Sequence, residues 1–331
     1  MAKRMMSKIQ PAVQTLTFNF TPDGTVTYYL DLSQCASLVN RRFYRQGLNW
    51  AVAGMKMSTG KGTEGEIIIN KLPNTWVMSN AWEKSFRAWQ RMIEHATEDS
   101  GSESIKGKFL DYKILANKTH FDAKITGGVE NLLPTSAYTT SWNTADPGQW
   151  DYSEVSIPNT IVGVPGDTEE YHLVAVGPLT AGSQYLSLIP GYANSRALPD
   201  TVDPNTPAGA STSENWLLQM FNDGNLQDTE VIDILENTGN NPPYPFEGDL
   251  AGNADTQYPG GENQLPSLEV HDKNYITTTT VGGSTYIKGG NFPCGLMELQ
   301  FFAYAGTSVT LQIDLVPGTH RGYLAEPMTD M

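Results

Sequence analysis

The densest group of side chains able to hold a partner is Asn40-Arg41-Arg42-Phe43-Tyr44-Arg45. Three guanidiniums within five positions carry planar forks of N–H donors that match phosphate oxygens. Phe43 and Tyr44, interleaved with them, offer ring faces on which nucleobases stack. The pattern predicts sequence-independent, salt-sensitive contact to a nucleic-acid strand through Arg41, Arg42, Tyr44 and Arg45, joined by Lys3, Arg4 and Lys8 near the N-terminus. Lys56 and Lys61 follow in the chain. The same residues fit a solvated basic loop whose rings pack inward, and the pattern alone leaves both readings open.

Other chemistry is sparse. The five histidines, His95, His120, His172, His271 and His320, include no pair at helical metal spacing, and no C-x-x-C occurs. His120-Phe121-Asp122 puts an imidazole and a carboxylate on one side of an extended segment, either half of a catalytic or metal site or a chance surface pair. Glu169 and Glu170 are adjacent rather than facing, which suits a glycosidase poorly. Asn222-Asp223-Gly224-Asn225 lacks the ligand order of a calcium loop and reads as a turn. No G-x-S-x-G, P-loop or G-x-G-x-x-G is present. No catalytic residue, metal or cofactor is assigned, and the chain reads as a non-enzyme. Trp142 and Trp150, with nearby tyrosines, motivate an alternative: a carbohydrate-binding β-sandwich module that stacks sugars on exposed rings.

The elements that must hold these residues are mostly strands. Of 331 residues, 39% are hydrophobic and 17% charged, with 31 Gly and 20 Pro, which suits short strands joined by long ordered turns. Period-2 alternation marks Leu16–Phe20 and Thr25–Leu32; Pro22-Asp23-Gly24 between them predicts a hairpin over 15–32. Further strands are expected at 48–57, 66–71, 108–115, 151–157, 171–176, 185–189, 267–271, 275–281, 297–303 and 308–315. One helix is expected over 80–96, capped by Asn80 with Glu83 closing a capping box, its face formed by Trp82, Phe86, Trp89 and Ile93. Short helices are plausible at 214–222 and 228–237, within long loop excursions over about 190–266. Helices never alternate with strands in βαβ order, so the fold class is all-β: a single jelly roll, one domain over 1–331, with long loop insertions and short helices.

No stretch is apolar enough for a membrane span, and the start of the chain lacks the apolar run of a secretory signal. Asn117-Lys118-Thr119 is therefore read as a chance glycosylation match. Cys35 and Cys294 are expected to be two buried free thiols. Net charge is −15, yet residues 1–118 carry 16 Lys and Arg against 10 Asp and Glu, and the remainder 5 against 26. A shell subunit with a basic inner and an acidic outer face would show this split.

Leu72-Pro73-Asn74-Thr75-Trp76-Val77, then Asn80-Ala81-Trp82 and the helix through Trp89, resemble capsid proteins of the small circular Rep-encoding single-stranded DNA viruses, the unclassified circovirus-like group. Similar runs follow at 107–113, Trp150-Asp151-Tyr152-Ser153, 191–196, Tyr258-Pro259-Gly260-Gly261 and Phe292-Pro293-Cys294-Gly295, in order along most of 40–300. The resemblance implies a jelly-roll coat protein in a homo-oligomeric icosahedral shell, most simply T=1. It also implies a packaged circular single-stranded DNA genome, localisation to the virion after assembly in the host cell, and outer loops that engage a host receptor. Many such capsids begin with a long Arg-rich arm; here only Lys3, Arg4 and Lys8 stand at the start, which leaves Arg41, Arg42 and Arg45 as the candidate lumen contacts.

Overall fold

The computed structural model describes residues 10–60, 62–101, 104, 111–138, 141–158, 168–178, 184–196, 267–277 and 283–331. Among the described residues strand outweighs helix, 44% against 26%, mainly in antiparallel sheets. Where the sequence reads as one domain, the chain forms two compact units: 1–74 with 123–150 and 269–331, and 75–122 with 151–268.

The first unit is built on eight strands: β1 (Thr15–Phe20), β2 (Asp23–Asp31), β3 (Leu48–Thr59), β4 (Gly65–Lys71), then, after the short hairpin β5 (Thr135–Tyr138) and β6 (Ser141–Thr144) and three strands of the second unit, β10 (Glu269–Ile276), β11 (Ser284–Phe292), β12 (Leu296–Ala305) and β13 (Val309–Leu315). One sheet has the order β1-β13-β3-β11, the other β10-β4-β12-β2. Every neighbouring pair in both is antiparallel. Alternation explains why these segments are strands: along β13, Val309, Leu311, Ile313 and Leu315 are buried while the residues between them are not. The inward rows meet in a core that includes Leu16, Phe18, Trp50, Met55, Met57, Ile67, Ile69, Leu299, Phe301 and Ile313.

The predicted strands at 15–32 form, but not as a hairpin: β1 pairs with β13 and β2 with β12, in different sheets. Alternation reveals a buried face and not a partner, and Pro22-Asp23-Gly24 here turns the chain from one sheet to the other. Between β2 and β3 lies α1 (Leu32–Asn40), a helix the sequence reading lacks. A short 3₁₀ turn, Pro293–Gly295, joins β11 to β12. The tail adds β14 (Pro317–Gly318), β15 (Gly322–Tyr323) and β16 (Ala325–Pro327), the last pairing with the start of β3.

The second unit contains α2 (Trp76–Asp99), α3 (Lys118–Phe121), β7 (Glu154–Pro158), β8 (Thr168–Val174), β9 (Tyr185–Ser187) and α4 (Leu188–Arg196). The predicted helix is longer than expected at both ends, and Thr75, not Asn80, caps it by accepting from the Met78 amide at 3.4 Å. Trp82, Phe86 and Trp89 ring Tyr112, with centroids 5.4–5.7 Å away. The described part of the predicted strand at 108–115 makes a single parallel bridge, Leu115 to Val174. Strand 151–157 starts at Glu154, and 185–189 gives way to α4 at Leu188. The sequence's two strands at 267–271 and 275–281 are one described strand, β10, and β11 was not foreseen. The helices expected at 214–222 and 228–237 lie outside the described residues, as does most of the 190–266 excursion.

Gly289 marks where β11 crowds β3. A Cβ there would sit 2.3 Å from the carbonyl oxygens of both Val52 and Ala53, which are backbone and cannot step aside. Gly289→Ala is expected to cost about 1–3 kcal/mol through overpacking and lost β11–β3 pairing. Urea unfolding that leaves the midpoint and slope at wild-type values would contradict this account of the strand.

Candidate nucleic-acid interface

The arginine-bearing loop is fixed at both ends by one carboxylate. Asp31, 0% exposed, ends β2 and caps α1. Its Oδ1 accepts from the amides of Ser33 (2.8 Å) and Gln34 (3.3 Å), and its Oδ2 from Gln46 Nε2 (2.9 Å) and Trp150 Nε1 (3.2 Å). Trp50 Nε1 donates to Ser33 Oγ at 3.0 Å, tying the helix start to β3. α1 stops at Arg41, which is left-handed at φ 53°. The chain then alternates: Arg41, Arg42 and Arg45 are exposed, while Tyr44 and Gln46 are buried.

Tyr44 is the correction to the predicted site. It is 0% exposed, with its ring 5.4 Å from Tyr323 and 5.9 Å from Trp50, so no base can stack on it. It works instead as a peg. Its amide donates to Ser37 Oγ (2.9 Å) and its hydroxyl donates to the Arg321 carbonyl (3.0 Å). Of the two open readings of this loop, rings inward is the one found for Tyr44.

That peg brings in a residue the sequence reading missed. Arg321, also left-handed at φ 51°, is exposed and donates from Nη1 to the Phe43 carbonyl. Arg42 Nη1 donates to the Pro11 carbonyl at 3.3 Å. Gly322 lets the N-terminal segment pass underneath: a Cβ there would lie 2.5 Å from Ala12 Cβ and 2.7 Å from the Gln10 carbonyl. Asn40 joins the layers, accepting from the Val13 amide (3.0 Å) and donating to the Tyr323 hydroxyl (2.7 Å), which donates on to the Val13 carbonyl (2.5 Å). Burial pushes the Tyr323 phenol up to about 12, so it keeps the proton it donates. The result is a rigid ledge carrying Arg41, Arg42, Arg45 and Arg321.

Among the described residues Arg41, Arg42 and Arg321 form no ion pair. A guanidinium has five N–H donors, and single bonds to carbonyls leave Arg42 and Arg321 with donors for phosphate oxygens. Lys3, Arg4, Lys8 and Lys61 lie outside the described residues. Nothing in the sequence near His320-Arg321-Gly322-Tyr323 signals a pairing with position 44; only the Arg-Gly turn chemistry hints that Arg321 is displayed.

Several other candidates take structural roles, while Asn222-Asp223-Gly224-Asn225 lies outside the described residues. His120 is on helix rather than extended chain; its Nδ1 accepts from the Ala116 amide (3.1 Å), while Asp122 pairs with Lys118 (2.5 Å). Trp150 is 8% exposed and spends its N–H on Asp31, so it is no sugar platform; Trp142 lies on β6. Cys35 and Cys294 are buried free thiols, pushed up chiefly by burial and so poor nucleophiles. Among the described residues no group of three or more His, Cys, Asp or Glu could hold a metal, and no helix is long and apolar enough to cross a membrane. No family model, curated protein or solved structure matches the chain.

Burial raises the Asp31 carboxyl to about 6, outweighing the lowering by its four donors. Unfolded, it titrates near ~3.9. Between these values the folded chain binds the proton more tightly, so ionised Asp31 costs stability at neutral pH, and stability is regained as pH falls through about 6. Two pH units correspond to at most ~3 kcal/mol. The unfolding free energy of wild type minus that of Asp31→Asn is expected to rise by up to this amount from pH 7 to pH 4, whatever the variant's constant offset. A difference that stays flat in urea titrations would remove the claim.

Proposed function

We propose that this chain is a viral coat protein: its two-sheet body is a single jelly roll, and its copies close into a small icosahedral shell around a circular single-stranded DNA genome. The simplest shell is T=1, with about sixty copies related by closed symmetry. The observation that carries the reading is the strand order. Counted along the chain, the body strands stand as first-eighth-third-sixth in one sheet and fifth-fourth-seventh-second in the other. The first strand pairs with the last, the second with the second-last, the third with the third-last, and the fourth with the fifth. A ribbon folded back on itself and then rolled gives this pairing, and such double-sheet rolls recur in viral capsids.

Two further features support the reading. Arg41, Arg42 and Arg321 of the ledge face solvent and form no ion pair among the described residues, which suits a non-specific phosphate partner. The acidic excess of the later chain suits an outer surface that repels nucleic acid and displays loops to a host receptor. The protein then belongs to the virion, assembled in the host cell, and performs no catalysis.

Electron microscopy of expressed protein tests the shell: closed particles of uniform diameter are expected. Protein that stays monomeric at every salt concentration would overturn it. Arg41→Gln with Arg42→Gln should leave particles intact while lowering their 260/280 nm absorbance ratio. Single-strand affinity should lose salt dependence by a slope of about 0.7 per phosphate contact removed. Particles with unchanged nucleic-acid content would remove the ledge from genome binding.

A further inference from the structure

Burial of Tyr44 removes one expected stacking surface from the proposed single-strand partner, and the outer face of the β1-β13-β3-β11 sheet supplies another. Tyr286, on the edge strand β11, is 73% exposed, the highest exposure among the large hydrophobic side chains described. It stands opposite Lys56 of β3 in register, and the Lys56 Nζ lies 5.8 Å from the ring centroid. Lys288, two residues further along β11, projects from the same face, about 7 Å away along the strand. The outward neighbours are small or uncharged: Gly54 opposite Lys288, Gln312 opposite Lys56, and Ser58 opposite Ser284. Nothing bulky among them shields the ring.

Neither Lys56 nor Lys288 forms an ion pair among the described residues. Two carboxylates lie nearby without pairing to either ammonium: Asp314 accepts from Thr15 Oγ at 2.6 Å, and Asp272 accepts from the Lys288 backbone amide at 3.2 Å. The other sheet offers an internal contrast. Tyr275 is 64% exposed with Lys273 Nζ 5.1 Å from its centroid, but Lys273 is paired to Glu66 at 2.6 Å. The same ring-and-lysine pair is neutralised there and left cationic at Tyr286.

We propose that Tyr286, Lys56 and Lys288 form a binding site for single-stranded nucleic acid, with one unstacked base on the Tyr286 ring and its flanking phosphates on the two lysines. An exposed ring takes any base, since every base has a π face, and the lysines take phosphates without reading sequence. A duplex, whose bases are already stacked, cannot use it. The inference rests on the nucleic-acid part of the coat-protein reading, not on shell formation.

The test uses the full-length protein with a fluorescein-labelled oligo(dT), followed by anisotropy, and with a 5-iododeoxyuridine oligo(dT) for photo-crosslinking and peptide mapping. Tyr286→Ala should weaken binding about tenfold, within the range for one stacked base. Tyr286→Phe should keep it, and the cross-link should map to the peptide containing Tyr286. Lys56→Gln and Lys288→Gln should each reduce the salt slope by about 0.7. Tyr275→Ala should change nothing. Affinity unmoved by Tyr286→Ala, an equal loss from Tyr275→Ala, or cross-links mapping only elsewhere would each overturn the site. Micrographs of the same preparations report separately on the shell: particles without Tyr286 cross-links fail this inference alone, and cross-links without particles fail the shell alone.

Discussion

The Asp31 carboxylate is the point on which the arginine ledge depends. It is fully buried, and four donors converge on it from α1, from the loop after α1 and from Trp150. Removing a carboxylate from water is costly, and only a full set of donors makes it tolerable. The first amides of α1 in turn need an acceptor, because helix geometry leaves them without an intrahelical partner. The constraint is thus mutual. The charge demands the loop, and the loop's fixed path decides that Tyr44 points in and Arg41, Arg42 and Arg45 point out.

Around that anchor the chain uses backbone carbonyls rather than carboxylates to orient Arg42 and Arg321. Arg42 leans on Pro11 and Arg321 on Phe43, so the positive charges are positioned without being cancelled. A salt bridge would hold the same side chains but consume the field that a phosphate partner requires. Both left-handed residues of the ledge, Arg41 and Arg321, carry backbone strain that most positions give to glycine. The surrounding hydrogen bonds overdetermine these conformations and make the strain bearable.

The sequence disclosed inward and outward faces well and partnerships poorly. Thr15–Phe20, Leu48–Thr59 and Val309–Leu315 announce themselves by alternation, because burial on one face leaves a period of two. That β1 takes β13 and not β2 is invisible, since turn chemistry at Pro22-Asp23-Gly24 serves a sheet change as readily as a hairpin. α1 escaped notice because Leu32-Ser33-Gln34-Cys35-Ala36 reads as a continuation of the strand, and its cap, Asp31, looks like one more alternating polar residue. In the site, the arginines were legible from type and spacing. The inward turn of Tyr44 was not, because it depends on Tyr323 and Arg321, nearly 280 residues away. Tyr286 was missed for the opposite reason: one tyrosine in a strand carries no local signal of being left uncovered.

The position of the last strands has a consequence for timing during synthesis. β12 lies between β4 and β2, and β13 between β1 and β3, so the centre of each sheet is made of the last body strands to leave the ribosome. Until then β1 and β2 lack the strands they pair with, and the pairing of Thr15 with Asp314 must close a loop of about 300 residues. Long-range pairing of this kind is intrinsically slow. A nascent chain therefore completes neither sheet until β12 and β13 have emerged, and β1 to β4 must wait through most of its synthesis for their central partners.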